Sequence, residues 1–195
     1  AKRYGADVRT VEQTWGKPFS LDALKTAMET HRPKILALVH AETSTGVRQP
    51  LEGVGDLCRE QHCLLLLDTV TSLGGVPIYL DRWGVDLAYS CSQKGLSCAP
   101  GISPFTLGSR AMDKLTQRPD PVPNWYLDMT LLAKYWGSDR VYHHTAPVNL
   151  TYALREALRL LVEEGLEARW QRHRQTAEKL WYGLSELGLT CHVAE

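Results

Sequence analysis

One aspartate and one lysine in this chain are placed to do chemistry together. The apolar run Leu64-Leu65-Leu66-Leu67 ends in Asp68, and a second strand pattern, Asp86 to Ser92, leads through Gln93 into Lys94. Open α/β sheets bind ligands beyond the carboxyl ends of their strands, so two such runs would turn both groups toward one crevice. A lysine that forms a Schiff base and a carboxylate that pairs with a pyridinium nitrogen are what a protein supplies to hold pyridoxal phosphate. The free amine must attack, so a lysine buried beside an apolar sheet, its pKa lowered, would suit that chemistry. A carboxylate at the end of a buried strand would be screened little by water and would keep the ring nitrogen charged. Both residues also have plainer readings, Lys94 as a solvated cation and Asp68 as an Asx-turn or helix cap. The neighbours favour chemistry: Gly95 lets a ligand approach the backbone, and Ser90, Ser92 and Gln93 carry uncharged donors suited to a phosphate.

The elements around these residues alternate between strand and helix patterns, which predicts a sheet with crossover helices. Ser20 is placed to cap a helix through about Thr30, which Pro33 ends. Lys34 to His40, continuously apolar from Ile35 to Val39, reads as a buried strand, and Thr43-Ser44-Thr45-Gly46 is a polar turn at its carboxyl end. Pro50 opens an amphipathic helix to about His62, ahead of the strand that delivers Asp68. Thr69 to Gly75 is a loop of small residues. Ile102 to Leu107 reads as a return strand, and Ser109 as the cap of a short helix to about Gln117. Apolar residues three and four apart mark two long helices, Asn149 to Glu164 and Leu166 to about Leu187, with Gly165 breaking them apart. The expected fold class is α/β, a mainly parallel sheet with flanking helices over residues 1–164. A smaller C-terminal α+β domain begins at 165 with a helix and a strand.

Composition narrows the partners. Of 195 residues, 44% are hydrophobic and 23% charged, and 22 basic residues balance 22 acidic ones. No basic stripe suits nucleic acid, and no apolar run approaches the ~20 residues of a membrane span. Five cysteines without paired spacing argue against zinc and against a disulfide framework, and for reduced thiols in the cytoplasm. The chain opens without Met and without a signal peptide and stops just after a strand-like start, as an internal piece of a longer protein would. The adjacent His143 and His144 have no carboxylate or cysteine at ligand spacing, so no metal is expected there. Tyr142 and Thr145 are better suited as phosphate donors. Trp125, Tyr126, Tyr135 and Trp136 read as packing or interface groups.

Four stretches, in this order, carry a resemblance: His40-Ala41-Glu42-Thr43-Ser44-Thr45-Gly46, Leu67-Asp68-Thr69-Val70-Thr71-Ser72-Leu73-Gly74-Gly75, Tyr89-Ser90-Cys91-Ser92-Gln93-Lys94-Gly95 and Tyr142-His143-His144-Thr145. Through its whole length the chain resembles the class V, fold-type I pyridoxal-phosphate aminotransferases, near the alanine–glyoxylate and serine–glyoxylate group. The resemblance implies that Lys94 is the Schiff-base lysine and moves the substrate's α proton, and that Asp68 is the pyridinium partner. It sets Val70 against the ring face, Gln93 on the phosphate and Thr43 near the ring hydroxyl. It implies that Tyr142 and Thr145 reach the phosphate of a neighbouring subunit's cofactor, so the functional unit is a homodimer with a shared active site. The family's upstream phosphate loop and ring-stacking aromatic, and its downstream arginine for the substrate carboxylate, have no match here. Arg48 and Arg140 do not fall at that arginine's place.

The resulting expectation is amino transfer from alanine or serine to glyoxylate by the parent protein, with the isolated chain a poor catalyst. Another class V activity is the first alternative, aminoethylphosphonate transamination or cysteine desulfuration. For the latter, Cys98 stands only four residues beyond Lys94, close for a swinging nucleophile. A truncated, inactive copy that serves only as a dimerisation partner is the second.

Overall fold

The structure is a computed structural model that describes residues 1–193. Its centre is a four-stranded sheet in the order β1 (Ile35–Val39), β2 (Leu64–Asp68), β3 (Leu87–Tyr89) and β4 (Phe105–Leu107). β1 and β2 pair in parallel, as do β2 and β3, while β4 returns antiparallel to β3. The sheet is therefore mainly parallel and flanked by helices, as the alternation of patterns predicts.

Helix α1 (Leu21–His31) begins where expected, because the Ser20 hydroxyl accepts the Ala23 N–H at 3.1 Å. Its Leu24 and Met28 join Val54, Leu57 and Cys58 of α2 (Val54–Glu60) in one apolar cluster with Leu65 and Leu67 of β2. The helix expected from Pro50 starts later than that. Residues 51–53 form a turn that ends in Gly53 at φ 80°, and only then does α2 begin.

Three other expectations need correction. β1 is not buried on both faces: Leu36 and Leu38 pack on the apolar cluster, while the opposite face is open, with Ile35 50% and Val39 42% exposed. Ser109 does not cap α3 (Ser109–Thr116). It is the first helical residue, and Gly108 holds the cap position without a side-chain bond. No strand forms over residues 188–193, which are turn, bend or irregular; residues 194 and 195 lie outside the described residues.

The chain then runs through α4 (Met129–Trp136) into the two long helices, α5 (Val148–Glu164) and α6 (Leu166–Glu186), with Gly165 at φ 81° between them. At the amino end of the sheet, Asp86 is buried. Its carboxylate accepts the Leu65 N–H at 2.8 Å and meets the Arg110 guanidinium of α3 at 3.2 Å. Arg110 also donates to the Cys63 carbonyl at 2.7 Å, so one side chain joins α3 to the entry of β2.

Gly55 lets α2 lie directly on the segment before β3. A Cβ there would stand 2.0 Å from the Trp83 carbonyl oxygen, a backbone atom with little room to retreat. Gly55→Ala is expected to destabilise the fold by about 1–3 kcal/mol through overpacking, read as a lowered urea midpoint, even though alanine is the better helix former.

Candidate active site

Three parallel strand ends form the floor of the site. Val39, Asp68 and Tyr89 stand side by side in register, and the ladder runs one residue further, His40 N–H to the Asp68 carbonyl and Thr69 N–H to the Tyr89 carbonyl, each at 2.9 Å. The loops that leave these ends therefore rise from one edge of the sheet, and they carry Thr43, Val70 and Lys94.

Asp68 makes the Asx-turn that its plainer reading expects. Its Oδ1 accepts the Val70 N–H at 2.8 Å, which closes an Asx-turn, and its Oδ2 accepts the Tyr89 hydroxyl at 2.6 Å. A carboxylate has about four lone-pair sites, so these two bonds leave room for a further N–H donor. Burial, and then the carboxylate it bonds, push the Tyr89 phenol up to about 12, so it remains a donor at neutral pH. Nothing in the sequence patterning singled out Tyr89; the parallel register makes it Asp68's neighbour. In the same way Thr71 meets Thr43, hydroxyl to hydroxyl at 2.6 Å, and joins the loops after β1 and β2.

Lys94 is exposed, where a buried amine was expected. It lies on a bend whose inward position is taken by Leu96, and its carbonyl accepts the Ser97 N–H at 2.9 Å. Gln93 is exposed beside it. Ser90 and Ser92 are not free phosphate donors. Both are buried, with hydroxyls donated to the Thr69 carbonyl at 3.1 Å and the Ala99 carbonyl at 2.6 Å. Buried loop backbone needs such partners, and the two serines supply them.

The loop after β2 and the loop that carries Lys94 touch through glycines. A Cβ on Gly95 would stand 2.2 Å from the Leu73 carbonyl oxygen, and one on Gly74 would stand 2.8 Å from the Gly95 carbonyl oxygen. Arg169 of α6 reaches both loops from a buried position. The sequence carries no signal for it, since its acceptors in the two loops are backbone carbonyls.

Tyr142 and Thr145 share a hydrogen bond at 3.0 Å and are both exposed. Among the described residues, no hydrogen bond ties them to Asp68, Gln93 or Lys94. Between them His143 is buried, its ring stacked on Trp125 at 4.1 Å and its Nδ1 2.8 Å from Nδ1 of His144. Among the described residues, no three His, Cys, Asp or Glu side chains gather as a metal site would require, and no helix is long and apolar enough to cross a membrane.

The donor set fits pyridoxal phosphate. Asp68 is a carboxylate with an acceptor position open for a ring N–H, Lys94 is an exposed amine on the adjacent strand's loop, and Val70 is a half-buried apolar side chain between them in sequence.

Comparison with known proteins agrees with this fit. The family described as Aminotransferase class-V matches residues 1–194. A solved structure of alanine–glyoxylate aminotransferase from Nostoc sp. is 70% identical and superposes with a TM-score of 0.98, over 99% of this chain and 51% of that one. One of ureidoglycine–glyoxylate aminotransferase from Bacillus subtilis is 39% identical with a TM-score of 0.93, over 96% and 49%. The alanine–glyoxylate aminotransferase of Oryctolagus cuniculus is 46% identical over the whole of this chain and 50% of its own length. The chain spans about half the length of the relatives it matches.

His40, one residue beyond β1, is the buried titratable group beneath this edge. Its ring stands edge-on to Trp83 at 5.2 Å, and its Nδ1 has no hydrogen-bond partner. Burial lowers its pKa from 6.5 to about 4, with Arg48 adding to the effect and Glu52 opposing it. A folded pKa below the unfolded one means that the unfolded chain takes up the proton first as pH falls. Stability should therefore drop from about pH 6.5 and level off near pH 4, by at most ~1.4 kcal/mol per pH unit. Urea midpoints at pH 7 and pH 5 would show the difference, and His40→Gln should remove most of it.

Proposed function

This chain belongs to the class-V aminotransferase family, and on that footing we propose that the protein carrying it moves an amino group from alanine or serine to glyoxylate, with pyridoxal phosphate as cofactor. The observation that carries the reading is the placement of donor-backed Asp68 at the end of β2 and of Lys94 on the loop that leaves the adjacent parallel strand β3. Relatives named for glyoxylate chemistry match this same span.

When bound, pyridoxal phosphate supplies an electron sink for the charge that develops at the substrate's α carbon. Asp68 accepts the ring N–H and keeps that nitrogen protonated, and Tyr89 and the Val70 N–H hold the carboxylate in place while it does so. The Lys94 amine would hold the cofactor and would move the proton at the substrate's α carbon. Val70 would lie against the ring face, Thr43 on the ring-hydroxyl side and Gln93 at the phosphate.

Tyr142 and Thr145 reach the phosphate bound to a second copy, which makes the assembly a homodimer of C2 type with shared sites. Their exposure and the pairing of their hydroxyls support that role. The same reading sets the large cofactor-binding domain at residues 1–164 and the start of the smaller domain at 165–195, in a cytoplasmic protein. Desulfuration gains no support: the backbone N–H of Cys98 is bonded to the Ser92 carbonyl at 3.0 Å, which pins it just after the turn at Lys94 and not on a long loop.

Borohydride reduction of the full-length protein with pyridoxal phosphate, followed by peptide mapping, should place the pyridoxyl group on Lys94, and Lys94→Ala should abolish it. Alanine or serine with glyoxylate should turn over. Lys94→Ala should lower that rate by about 10²–10⁴-fold and Asp68→Asn by about 10²–10³-fold. Sulfide release from cysteine without amino transfer would overturn the reading.

A further inference from the structure

We infer that Arg169 is a positioning residue for Lys94. From within α6 it grips the loop that carries the lysine and the loop that follows Asp68, and so sets where the amine stands. The inference rests on the roles proposed above for Lys94 and Asp68.

Arg169 is 8% exposed, in the first turn of α6. Its Nε donates to the Gly74 carbonyl at 3.1 Å, and its Nη2 to the Gly95 carbonyl at 2.6 Å and the Ser97 hydroxyl at 3.1 Å. Its Nη1 donates to Glu164 at 2.8 Å. One planar fork thus spans two loops and carries its own counter-charge, which lets a guanidinium be buried at tolerable cost. Arg172 donates to both oxygens of Glu164, the last residue of α5, and shares Oε2 with Arg169. The junction at Gly165 thereby aims Arg169 at the loops.

The bond to Gly95 acts one residue from the lysine. It holds the carbonyl of the residue after Lys94, and the Ser97 N–H holds the Lys94 carbonyl itself. Ser97, at φ 59°, pays the strain that closes this turn, and its hydroxyl is gripped by the same guanidinium. Gly74 and Gly95 pack so closely that their two carbonyls converge on one donor. Without it, both would be left without a partner and the two loops would part. A lysine side chain brings a single point charge and cannot reproduce the fork.

The test uses the full-length protein with Arg169→Met, Arg169→Lys and Glu164→Gln. The readouts are hydrogen exchange of residues 93–98 against residues 64–68, cofactor affinity, the pH midpoint of the cofactor's visible absorbance, and kcat against KM for the amino donor. Loss of the buried charged bonds in Arg169→Met should weaken cofactor binding about tenfold or more. It should also speed exchange of residues 93–98 while 64–68 stay protected, shift the pH midpoint, and lower kcat more than it raises KM. Arg169→Lys should fall between this variant and the wild type.

A folded Arg169→Met with wild-type affinity and midpoint overturns the inference. So does one whose exchange rises equally in both segments with the midpoint unmoved, since that is general loosening. Should Arg169→Met fail to fold, Glu164→Gln keeps the guanidinium but removes its counter-charge. The same local pattern there, at severalfold size, supports the inference, and wild-type values overturn it. If wild-type protein takes no borohydride label on Lys94, the cofactor reading has failed, and the exchange of residues 93–98 in the folded variants alone decides whether the clamp exists.

Discussion

The register of β2 against β3 is the constraint on which the site depends. It sets Asp68 beside Tyr89, and with the register of β1 against β2, which sets Val39 beside Asp68, it brings three loops to one edge. Two carboxylates fix it, one at each end. Asp86 reaches from the start of β3 to the Leu65 N–H, and Asp68 at the end of β2 accepts the Tyr89 hydroxyl. Between them Leu65 and Leu67 are fully buried. A one-residue slip would turn both leucines out of the core, at about 1.5–3 kcal/mol each, and break both carboxylate contacts at once. Packing and polar bonds thus specify the same alignment.

Above that floor, the small polar residues divide into two groups. Thr69, Ser90 and Ser92 spend their hydroxyls on loop carbonyls and lie buried, so the loops keep one shape without regular secondary structure. Gln93, Lys94, Tyr142 and Thr145 are left exposed, free to meet a ligand or a second copy. The firmness of the first group lets the second act from short loops, since a side chain can be placed only as well as the backbone beneath it.

Much of this could be read from the sequence. Four leucines ending in an aspartate have few outcomes other than a buried strand with its carboxylate at the rim, and Ser20 ahead of an amphipathic run is an ordinary helix start. What stayed hidden depends on contacts between distant residues. Tyr89 gains its partner only through strand pairing. Ser90 and Ser92 look identical to free donors until the loop folds over them. The exposure of Lys94 follows from Leu96 taking the inward place on the same turn. The breadth of β1's apolar run spoke for burial, yet burial depends on what lies on either side, which local composition does not encode. Arg169 was hidden for the same reason: its acceptors are backbone carbonyls, and no residue type announces them.

The reach of that arginine bears on the order of folding. The apolar cluster draws on residues between Leu24 and Ala88, most of them neighbours along the chain through α1, β1, α2 and β2. The bonds from Arg169 to Gly74, Gly95 and Ser97 close separations of 95, 74 and 72 residues. Loop-closure entropy favours the shorter circuits first, so the sheet with its covering helices can nucleate while the two glycine loops are still unlocked. The edge that carries Asp68 and Lys94 would then be the last part of the domain to set, and the first to reopen in the folded protein's spontaneous fluctuations.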